Sequence, residues 1–168
     1  DRHVFYASDI VPGAYSKKAR IIALLKNVLE SGKLELAIQG IFDVASSETG
    51  AAEITTMLTL DSGERIPQKE LFAIAGELGL SRKAGSVLLE AACRWFMATE
   101  GLGGRLHAIQ VSLTEAQCVS VGWHREILSI IERTGIPPKT LYLGIGETAV
   151  TEAGEQLQEG MRMLIESG

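Results

Sequence analysis

The sequence has 168 residues, of which 46% are hydrophobic and 22% are charged, and its net charge is −5. This composition predicts a folded soluble domain with a substantial core, and the acidic balance argues against nucleic acid as a partner. No apolar run reaches the roughly 20 residues that a helix needs to span a membrane. Two cysteines, Cys93 and Cys118, are too few for a disulfide framework. We therefore expect a cytoplasmic protein with reduced thiols and no membrane segment in this chain.

The first part of the chain is predicted to form a helix followed by a pair of strands. Apolar residues recur at helical spacing from Ile21 to Leu29, and Gly32 is suited to end that helix. Segments 34–44 and 50–60 have the length of strands and are separated by a short turn. This spacing predicts an antiparallel hairpin.

Two helices should follow the hairpin directly. A turn at 62–70 places Pro67 near the first position of one helix, which is predicted to end at Gly79. Ser81 is suited to cap the next helix, whose apolar residues lie on one side.

The second half of the chain alternates strands with helices. Segment 105–113 is predicted to be a third strand, followed by a helix that ends at Gly135 and by a fourth strand at 140–146. Thr151 is expected to cap a last helix. Helices of crossover length between strands imply right-handed β-α-β units with parallel strands. In such sheets, functional residues gather at the carboxyl ends of the strands.

One local motif indicates dinucleotide binding. Gly144, Gly146 and Ala149 match G-x-G-x-x-A between a predicted strand and a predicted helix. Glycines there would let the backbone approach a pyrophosphate at a helix N-terminus. The motif also requires a further strand that ends in an acidic residue about 20 residues on, and the given sequence reaches Gly168 while still in the helix.

Single residues indicate other sites only weakly. The histidines and cysteines lack the paired short spacing of a zinc site, and Ser112 and Ser120 lack a nucleophile-elbow context. Glu53 and Glu147 both lie on predicted strands or at their ends. A pair of carboxylates can bind a divalent ion or act as acid and base, but two solvated glutamates are the simpler interpretation, and both alternatives stay open.

The order of several longer motifs is more informative. The segments LELAIQGIFDV and EITTML resemble the Y-Q-P-I strand and the E-A-L-L-R-W signature of the EAL domain family, the cyclic di-GMP phosphodiesterases. RIPQKELFAIAGELGLS resembles the segment that follows the signature, QVSLTEAQ resembles S-V-N-L-S-x-x-Q, and LYLGIGETAV resembles L-x-L-E-I-T-E-S. The similarity extends over 19–168 and places Gln39 at the Gln of Y-Q-P-I, which makes Gln39 a candidate ligand-binding residue.

The resemblance implies an α/β fold of a particular kind. It is a partial (β/α) barrel of the EAL type, with about four strands, flanking helices and a first strand antiparallel to the rest. This expectation agrees with the hairpin that was predicted from the spacing of the strands alone.

The resemblance also implies that most of the family's metal site is lost. In active members, the signature Glu, the Asn of N-L-S, the first Glu of E-I-T-E and a later Asp pair hold two Mg²⁺ or Mn²⁺ ions, which activate the attacking water. Glu53 matches the signature Glu, but Ser112 replaces the Asn and Gly144 replaces the next Glu. Met57 replaces the signature Arg that helps to hold the phosphates. Glu147 matches the second Glu of E-I-T-E, which steadies a loop. We therefore expect a vestigial Glu53 and no bound cofactor.

The chain is expected to be part of a longer protein. DRHVFY resembles the last strand of a GGDEF diguanylate cyclase domain, so 1–13 is interpreted as a linker or the tail of a preceding domain. Residues 14–168 are interpreted as a truncated EAL-like domain, because the sequence stops before the family's Asp-pair strand, its catalytic Lys strand and its final strands.

These expectations favour a non-catalytic regulatory or protein-interaction module in cyclic di-GMP signalling. A partial barrel should leave sheet edges unpaired and an apolar inner face exposed, so we expect a protein partner or self-association as a dimer. The alternative is a fragment of a larger cyclic di-GMP phosphodiesterase or receptor that binds the dinucleotide, although the lost residues argue against binding. A dinucleotide-binding domain of the first kind would require sequence beyond Gly168.

Overall fold

Helices and strands alternate along most of the chain. The computed structural model describes residues 12–42, 44 and 49–167, so the segment DRHVFY lies outside the described residues. A 3-10 turn, Pro138–Thr140, precedes the last strand. The helices are α1 (Pro12–Ser31), α2 (Gln68–Glu77), α3 (Ser81–Ala98), α4 (Glu100–Gly104), α5 (Glu115–Cys118), α6 (Trp123–Thr134) and α7 (Glu147–Glu166). The strands are β1 (Glu35–Phe42), β2 (Thr49–Thr59), β3 (Arg65–Pro67), β4 (Ala108–Ser112) and β5 (Leu141–Gly144).

The strands form one mixed sheet with the order β1-β2-β4-β5, and β3 pairs separately with β2. Strand β1 is antiparallel to β2, whereas β4 is parallel to both β2 and β5. The predicted hairpin and the predicted parallel strands are therefore confirmed. The sheet has five strands rather than about four, because β3 was interpreted as a turn. Three residues ending in proline are too few to show a strand pattern, and β3 forms only where β2 offers a free edge.

Two predicted helix caps are wrong. Leu80, not Ser81, is the N-cap of α3, and it makes no side-chain cap hydrogen bond. Thr151 lies inside α7, where its hydroxyl donates a hydrogen bond of 3.0 Å to the backbone carbonyl of Glu147. Helix α7 starts at Glu147, immediately after the extended Gly146. Ser81 is the first residue of α3 and Thr151 is the fifth residue of α7, so neither side chain is in the N-cap position.

Two short helices were not predicted. Helix α5 has four residues, which is too short to show a helical repeat. In α4, Gly101, Leu102 and Gly103 have φ between 57° and 67° and form a left-handed turn. Only glycine adopts such angles without strain, and Leu102 adopts them between two glycines.

Two hydrophobic clusters hold the helices to the sheet. The larger one packs α3, α6 and α7 against the sheet and includes Ile54, Leu88, Ile109 and Ile127, each at most 1% exposed. The smaller one packs α1 and α2 against the end of β2 and includes Leu25, Leu58, Ile66 and Leu71. None of the helices in the described part of the chain is long and apolar enough to cross a membrane.

Both cysteines are buried free thiols, as predicted for Cys93. Burial raises the pKa of the Cys93 thiol to about 12, and burial also raises the pKa of Cys118. A thiol with a raised pKa is a weak nucleophile at neutral pH. These two side chains therefore act as small core residues.

An ion-pair cluster joins α6 to α3. The Arg133 guanidinium lies 2.7 Å from a carboxylate oxygen of Glu90, and Arg94 lies 2.7 Å from the other oxygen. The Arg133 hydrogen bond, followed by that of Arg94, holds the pKa of Glu90 below its ordinary value.

We expect Glu90→Gln to lower the free energy of unfolding at pH 7 by about 1 kcal/mol or less, as for partly exposed ion pairs. Because the pKa of Glu90 is depressed in the folded state, this stabilisation is fully present above the unfolded-state pKa of about 4.3. It is lost as the pH falls through the folded-state pKa. Urea unfolding of wild type and variant at pH 7 and at pH 3 measures the difference in unfolding free energy. Glu132→Gln is the control, since Glu132 is exposed and is not among the ion-paired carboxylates of the described residues. A difference from wild type that persists unchanged at pH 3 would contradict the assignment.

Helix α7 packs very closely on α6 at Gly160. A Cβ atom at this position would lie 2.3 Å from Nε1 of Trp123, whose side chain is 2% exposed. The Trp123 indole N–H donates a 3.4 Å hydrogen bond to the backbone carbonyl of Gln156, on the same helix as Gly160. The absence of a side chain at Gly160 therefore sets the distance between the two helices.

We expect Gly160→Ala to destabilise the fold by about 2 kcal/mol, because the added methyl group overpacks a rigid indole. Gly76→Ala in α2 is the matched control. Its Cβ would meet only the Ser81 hydroxyl, at 3.5 Å, so it should be neutral or stabilising by up to about 1 kcal/mol. Urea unfolding followed by circular dichroism compares the two variants. Equal losses of unfolding free energy in both would exclude a specific contact at Gly160.

Candidate functional site

A row of polar side chains crosses the open face of the sheet. Gln39 on β1 is the register partner of Glu53 on β2, Glu53 is level with Gln110 on β4, and Gln110 is level with Tyr142 on β5. Side chains at level positions of neighbouring strands point to the same face. The sheet therefore displays an amide, a carboxylate, a second amide and a phenol side by side, and we call these four residues the polar row.

The alternation of β2 explains why Glu53 is on the open face. Ala52, Ile54 and Leu58 are buried under the helices, whereas the alternating residues, including Glu53, are only partly buried. A one-residue change of register would bury Glu53 and expose Ile54. Glu53 lies in the middle of β2, on a strand as predicted. It is flanked by two residues whose amide groups can donate hydrogen bonds to a carboxylate.

The open face is mixed in character, whereas an apolar inner face was expected. Besides the polar row, it carries Thr55, the register partner of Ala37, and Ser112, two residues after Gln110. Large apolar side chains on this face are few, and Ile41, at its edge, is 41% exposed. A face of this composition suits a polar ligand or water better than a dry core.

The structure brings together two of the predicted site positions, Ser112 and Gly144. They are register partners at the carboxyl ends of β4 and β5, and the amide of Leu113 donates a 2.8 Å hydrogen bond to the Gly144 carbonyl. A Cβ atom at Gly144 would lie 2.9 Å from Oγ and 3.3 Å from Cα of Ser112. A side chain at Gly144 would require the Ser112 hydroxyl to rotate away and the Ser112 backbone to move by a few tenths of an ångström.

Glu53 lies diagonally across the sheet face from Ser112, at a distance that long side chains can span. Ser112 is one strand away and two residues further along, so its Cα lies about 8 Å from that of Glu53. Met57 is four residues beyond Glu53 on β2, level with Glu35 and Pro67. The predicted site positions therefore share one face but are spread along it.

Glu147 lies away from the open face. It is the first residue of α7 and is exposed. Its backbone carbonyl accepts the Thr151 hydroxyl, and no side-chain hydrogen bond of Glu147 occurs among the described residues. An acidic residue in the first turn is favourable there because of the helix dipole.

A buried glutamine fixes the loop after Ser112, and the sequence interpretation missed it. The Gln117 side-chain oxygen accepts hydrogen bonds from the Thr114 amide at 2.9 Å and the Thr114 hydroxyl at 3.0 Å. In return, the backbone amide of Gln117 donates a hydrogen bond to the Thr114 hydroxyl. The Gln117 residue is 3% exposed. T-x-x-Q is a capping-box pattern, so the signal was present in TEAQ.

An open cleft of about 570 Å³ lies beside this loop. Ser112 is in its wall, together with Phe72 of α2, Glu115 of α5 and Glu152 of α7. The neighbouring Glu152 side chain raises the pKa of Glu115 through a hydrogen bond and through charge repulsion. Two carboxylates in one wall make the cleft unfavourable for an anionic group at neutral pH.

The fold places few metal-donor atoms together. In the ranges 12–42, 44 and 49–167, no three His, Cys, Asp or Glu residues are grouped so that they could hold a metal ion. The neighbours of Glu53 in the polar row are two amides and a phenol. A pair of Mg²⁺ ions needs several carboxylate oxygens, and these residues do not provide them.

The comparisons with known proteins agree with this geometry. The family model of the EAL domain matches residues 23–168. A search of curated protein sequences finds no significant match.

Several solved structures share the fold. The FimX EAL domain from Pseudomonas aeruginosa bound to c-di-GMP is 21% identical, with a TM-score of 0.70 over 86% of this chain and 58% of that chain. The PaMucR phosphodiesterase in complex with c-di-GMP is 19% identical, with a TM-score of 0.76 over 88% of this chain and 60% of that chain. Vibrio cholerae LapD, solved as S helix–GGDEF–EAL bound to c-di-GMP, is 12% identical with a TM-score of 0.74, over 90% of this chain and 36% of that chain.

The chain thus spans 58% of the FimX domain and 60% of the PaMucR chain. The likeness shows that the antiparallel first strand and the parallel strands after it are those of an EAL-type barrel, as predicted. The family match covers most of the chain and the fold agrees with it, so this chain belongs to the EAL domain family.

Proposed function

We propose that this chain is a non-catalytic EAL-like module that acts in cyclic di-GMP signalling by regulation or protein interaction. The single observation that carries the proposal is the packing of Ser112 against Gly144. The resemblance places a metal-ligating Glu at Gly144, and the hydroxyl of Ser112 lies 2.9 Å from the point where its Cβ would be. This ligand is absent from the sequence, and a side chain at its position would need Ser112 to rearrange.

The chemistry of the remaining donors supports the same conclusion. Hydrolysis of a phosphodiester by two metal ions needs both ions to be held about 4 Å apart by shared carboxylates. Glu53 is one carboxylate between two amides, and Ser112 offers a hydroxyl where the family has an amide oxygen. Met57 provides no charge for a phosphate. We infer that no cofactor is held and that Glu53 is a vestigial ligand.

A receptor for cyclic di-GMP is the second candidate. FimX, PaMucR and LapD were each solved with c-di-GMP, and the polar row keeps groups that could hydrogen-bond a base. Gln39, the predicted ligand-binding residue, is exposed and level with Glu53. The missing Arg at Met57 and the acidic wall at Glu115 and Glu152 both disfavour the phosphates, so we place this candidate second.

Titration calorimetry with cyclic di-GMP, with and without Mg²⁺, distinguishes the candidates. The module is expected to give no binding heat and no linear dinucleotide when the mixture is analysed by chromatography. Magnesium-independent binding would favour the receptor, and formation of the linear product would overturn the non-catalytic proposal.

The variant Glu53→Gln sharpens this test, because it keeps the shape of the side chain and removes its charge. If Glu53 is vestigial, we expect the same null titration and a change in unfolding free energy within about 0.5 kcal/mol. Glu132→Gln on α6 is the control for loss of one acidic charge. A receptor would instead bind in the wild type and in the control, and would lose affinity by tenfold or more in Glu53→Gln.

A further inference from the structure

The walls of the cleft of about 570 Å³ come from four helices and from the loop after β4. Phe72 lies on α2, Ser81 begins α3, Val119 follows α5 and Glu152 lies on α7. None of the described residues in the wall belongs to an edge strand of the sheet, β1 or β5. The shape of the cleft therefore does not depend on what lies beside those edges. Its volume is within the range of roughly 300–1,000 Å³ that is typical of ligand sites.

The α5 wall of the cleft is held in place by Gln117. Its side-chain nitrogen donates a 3.4 Å hydrogen bond to the Ser86 hydroxyl on α3, and its side-chain oxygen accepts from Thr114. A Cβ atom at Gly85 would overlap that oxygen, so the glycine on α3 provides the space in which the glutamine lies. A wall that is fixed in this way needs little rearrangement when a ligand binds, which favours affinity.

The cleft also presents apolar surface to the solvent. Phe72, Leu113, Ala116 and Val119 contribute apolar side chains to its wall. Phe72 is only partly buried in the core, and Val119 is 40% exposed. An apolar group that covers these two side chains would remove their surface from water, which is favourable.

Two carboxylates share this cleft without a cation. Glu115 is the first residue of α5, and Glu152 lies on the facing helix α7. A hydrogen bond from the Glu152 side chain, followed by charge repulsion, raises the pKa of Glu115. Neither carboxylate belongs to an ion pair among the described residues, and the other described residues in the wall are uncharged. A positive group between the two carboxylates would relieve their repulsion.

We propose that this cleft docks a partner protein through an arginine side chain placed between Glu115 and Glu152. A neighbouring apolar side chain of the partner packs against Phe72 and Val119. The proposal rests on the interaction role proposed above, and it names the chemistry of the partner. Arginine is the cation that fits, because its planar guanidinium has donors for two carboxylates at once. The net charge of −5 also steers a basic partner towards this chain.

A capped Leu-Arg-Leu peptide contains only the proposed features and is the probe. Nuclear magnetic resonance of the backbone amides should show dose-dependent shifts in 112–119 and in the first turns of α7, with a dissociation constant on the order of 1 mM. The control peptide has citrulline in place of arginine, which keeps the shape and removes the charge. It should bind at least about tenfold more weakly. Equal shifts with both peptides, or no shifts near the cleft, overturn the proposal.

A small polyamine offers positive charge without an apolar side chain. Spermidine in the same titration therefore separates protein docking from the binding of a small cation. It should shift the cleft amides more weakly than the arginine peptide, because it has neither the planar fork nor a group for the apolar wall. Spermidine binding as tight as that of the peptide would assign the cleft to small cations and overturn protein docking.

The double variant Glu115→Gln/Glu152→Gln tests the charged half of the cleft. It should lower the affinity for the arginine peptide at least about tenfold and remove the weakening of binding by added salt. Because it removes a repulsion between exposed groups, it should retain the fold. Glu132→Gln/Glu155→Gln is the matched control, since it removes two exposed carboxylates that do not line the cleft. Equal affinity in the two double variants would contradict the assignment.

The variant Val119→Thr tests the apolar half. It is nearly isosteric and places a hydroxyl group on the apolar contact, so it should weaken peptide binding by about threefold. Val121→Thr is the matched control, because Val121 is 85% exposed and is not in the wall of the cleft. If Val119→Thr binds the peptide as tightly as Val121→Thr does, the partner has no apolar contact here and the proposed docking mode is wrong.

These outcomes are separable from the test of the non-catalytic role. None of the four substituted cleft and control sets includes Glu53, Ser112 or Gly144. A null peptide titration beside a null cyclic di-GMP titration removes the docking site and leaves the non-catalytic module in place. Formation of the linear dinucleotide, in contrast, overturns the role on which the docking rests, and it is measured without the peptide.

Discussion

The strict alternation of side chains along β2 is the constraint on which the rest of this structure depends. One face of the strand buries Ala52, Ile54 and Leu58 beneath the helices, and the other presents Glu53. The buried Thr56 fits this scheme because its amide donates to Gln68 and its hydroxyl donates to the Glu35 carbonyl. The same strand pairs with β1, β3 and β4, so its register positions both the core and the candidate site.

The candidate site is defined by packing as well as by residue type. At Gly144 and Ser112 two strands approach so closely that a side chain at Gly144 requires a rearrangement. The loop that follows is held by the buried side chain of Gln117, whose oxygen accepts from Thr114 and whose amide nitrogen donates to the Ser86 hydroxyl. The scaffold around the site is therefore well ordered by hydrogen bonds, while the groups that would do metal chemistry are missing from it.

Sequence reasoning was most successful where the signal is local or recurs along the chain. The hairpin, the parallel strands and the helices with clear apolar repeats were predicted from spacing alone. The errors have a common physical origin. Strand β3 forms because β2 has a free edge beside it, α7 begins where Gly146 leaves an extended conformation, and α4 turns left-handed around its glycines. None of these causes is visible in a periodic pattern of hydrophobicity.

The sequence by itself determined the order and type of the main elements, the family motifs, and the residues Met57, Ser112 and Gly144 at the positions where those motifs have Arg, Asn and Glu. These depend on residue identity and short-range spacing. Only the tertiary structure decided that Gln39, Glu53, Gln110 and Tyr142 form one row, and that the open face is mixed in character. Level positions on neighbouring strands are set by the sheet register, which depends on packing between residues far apart in the chain.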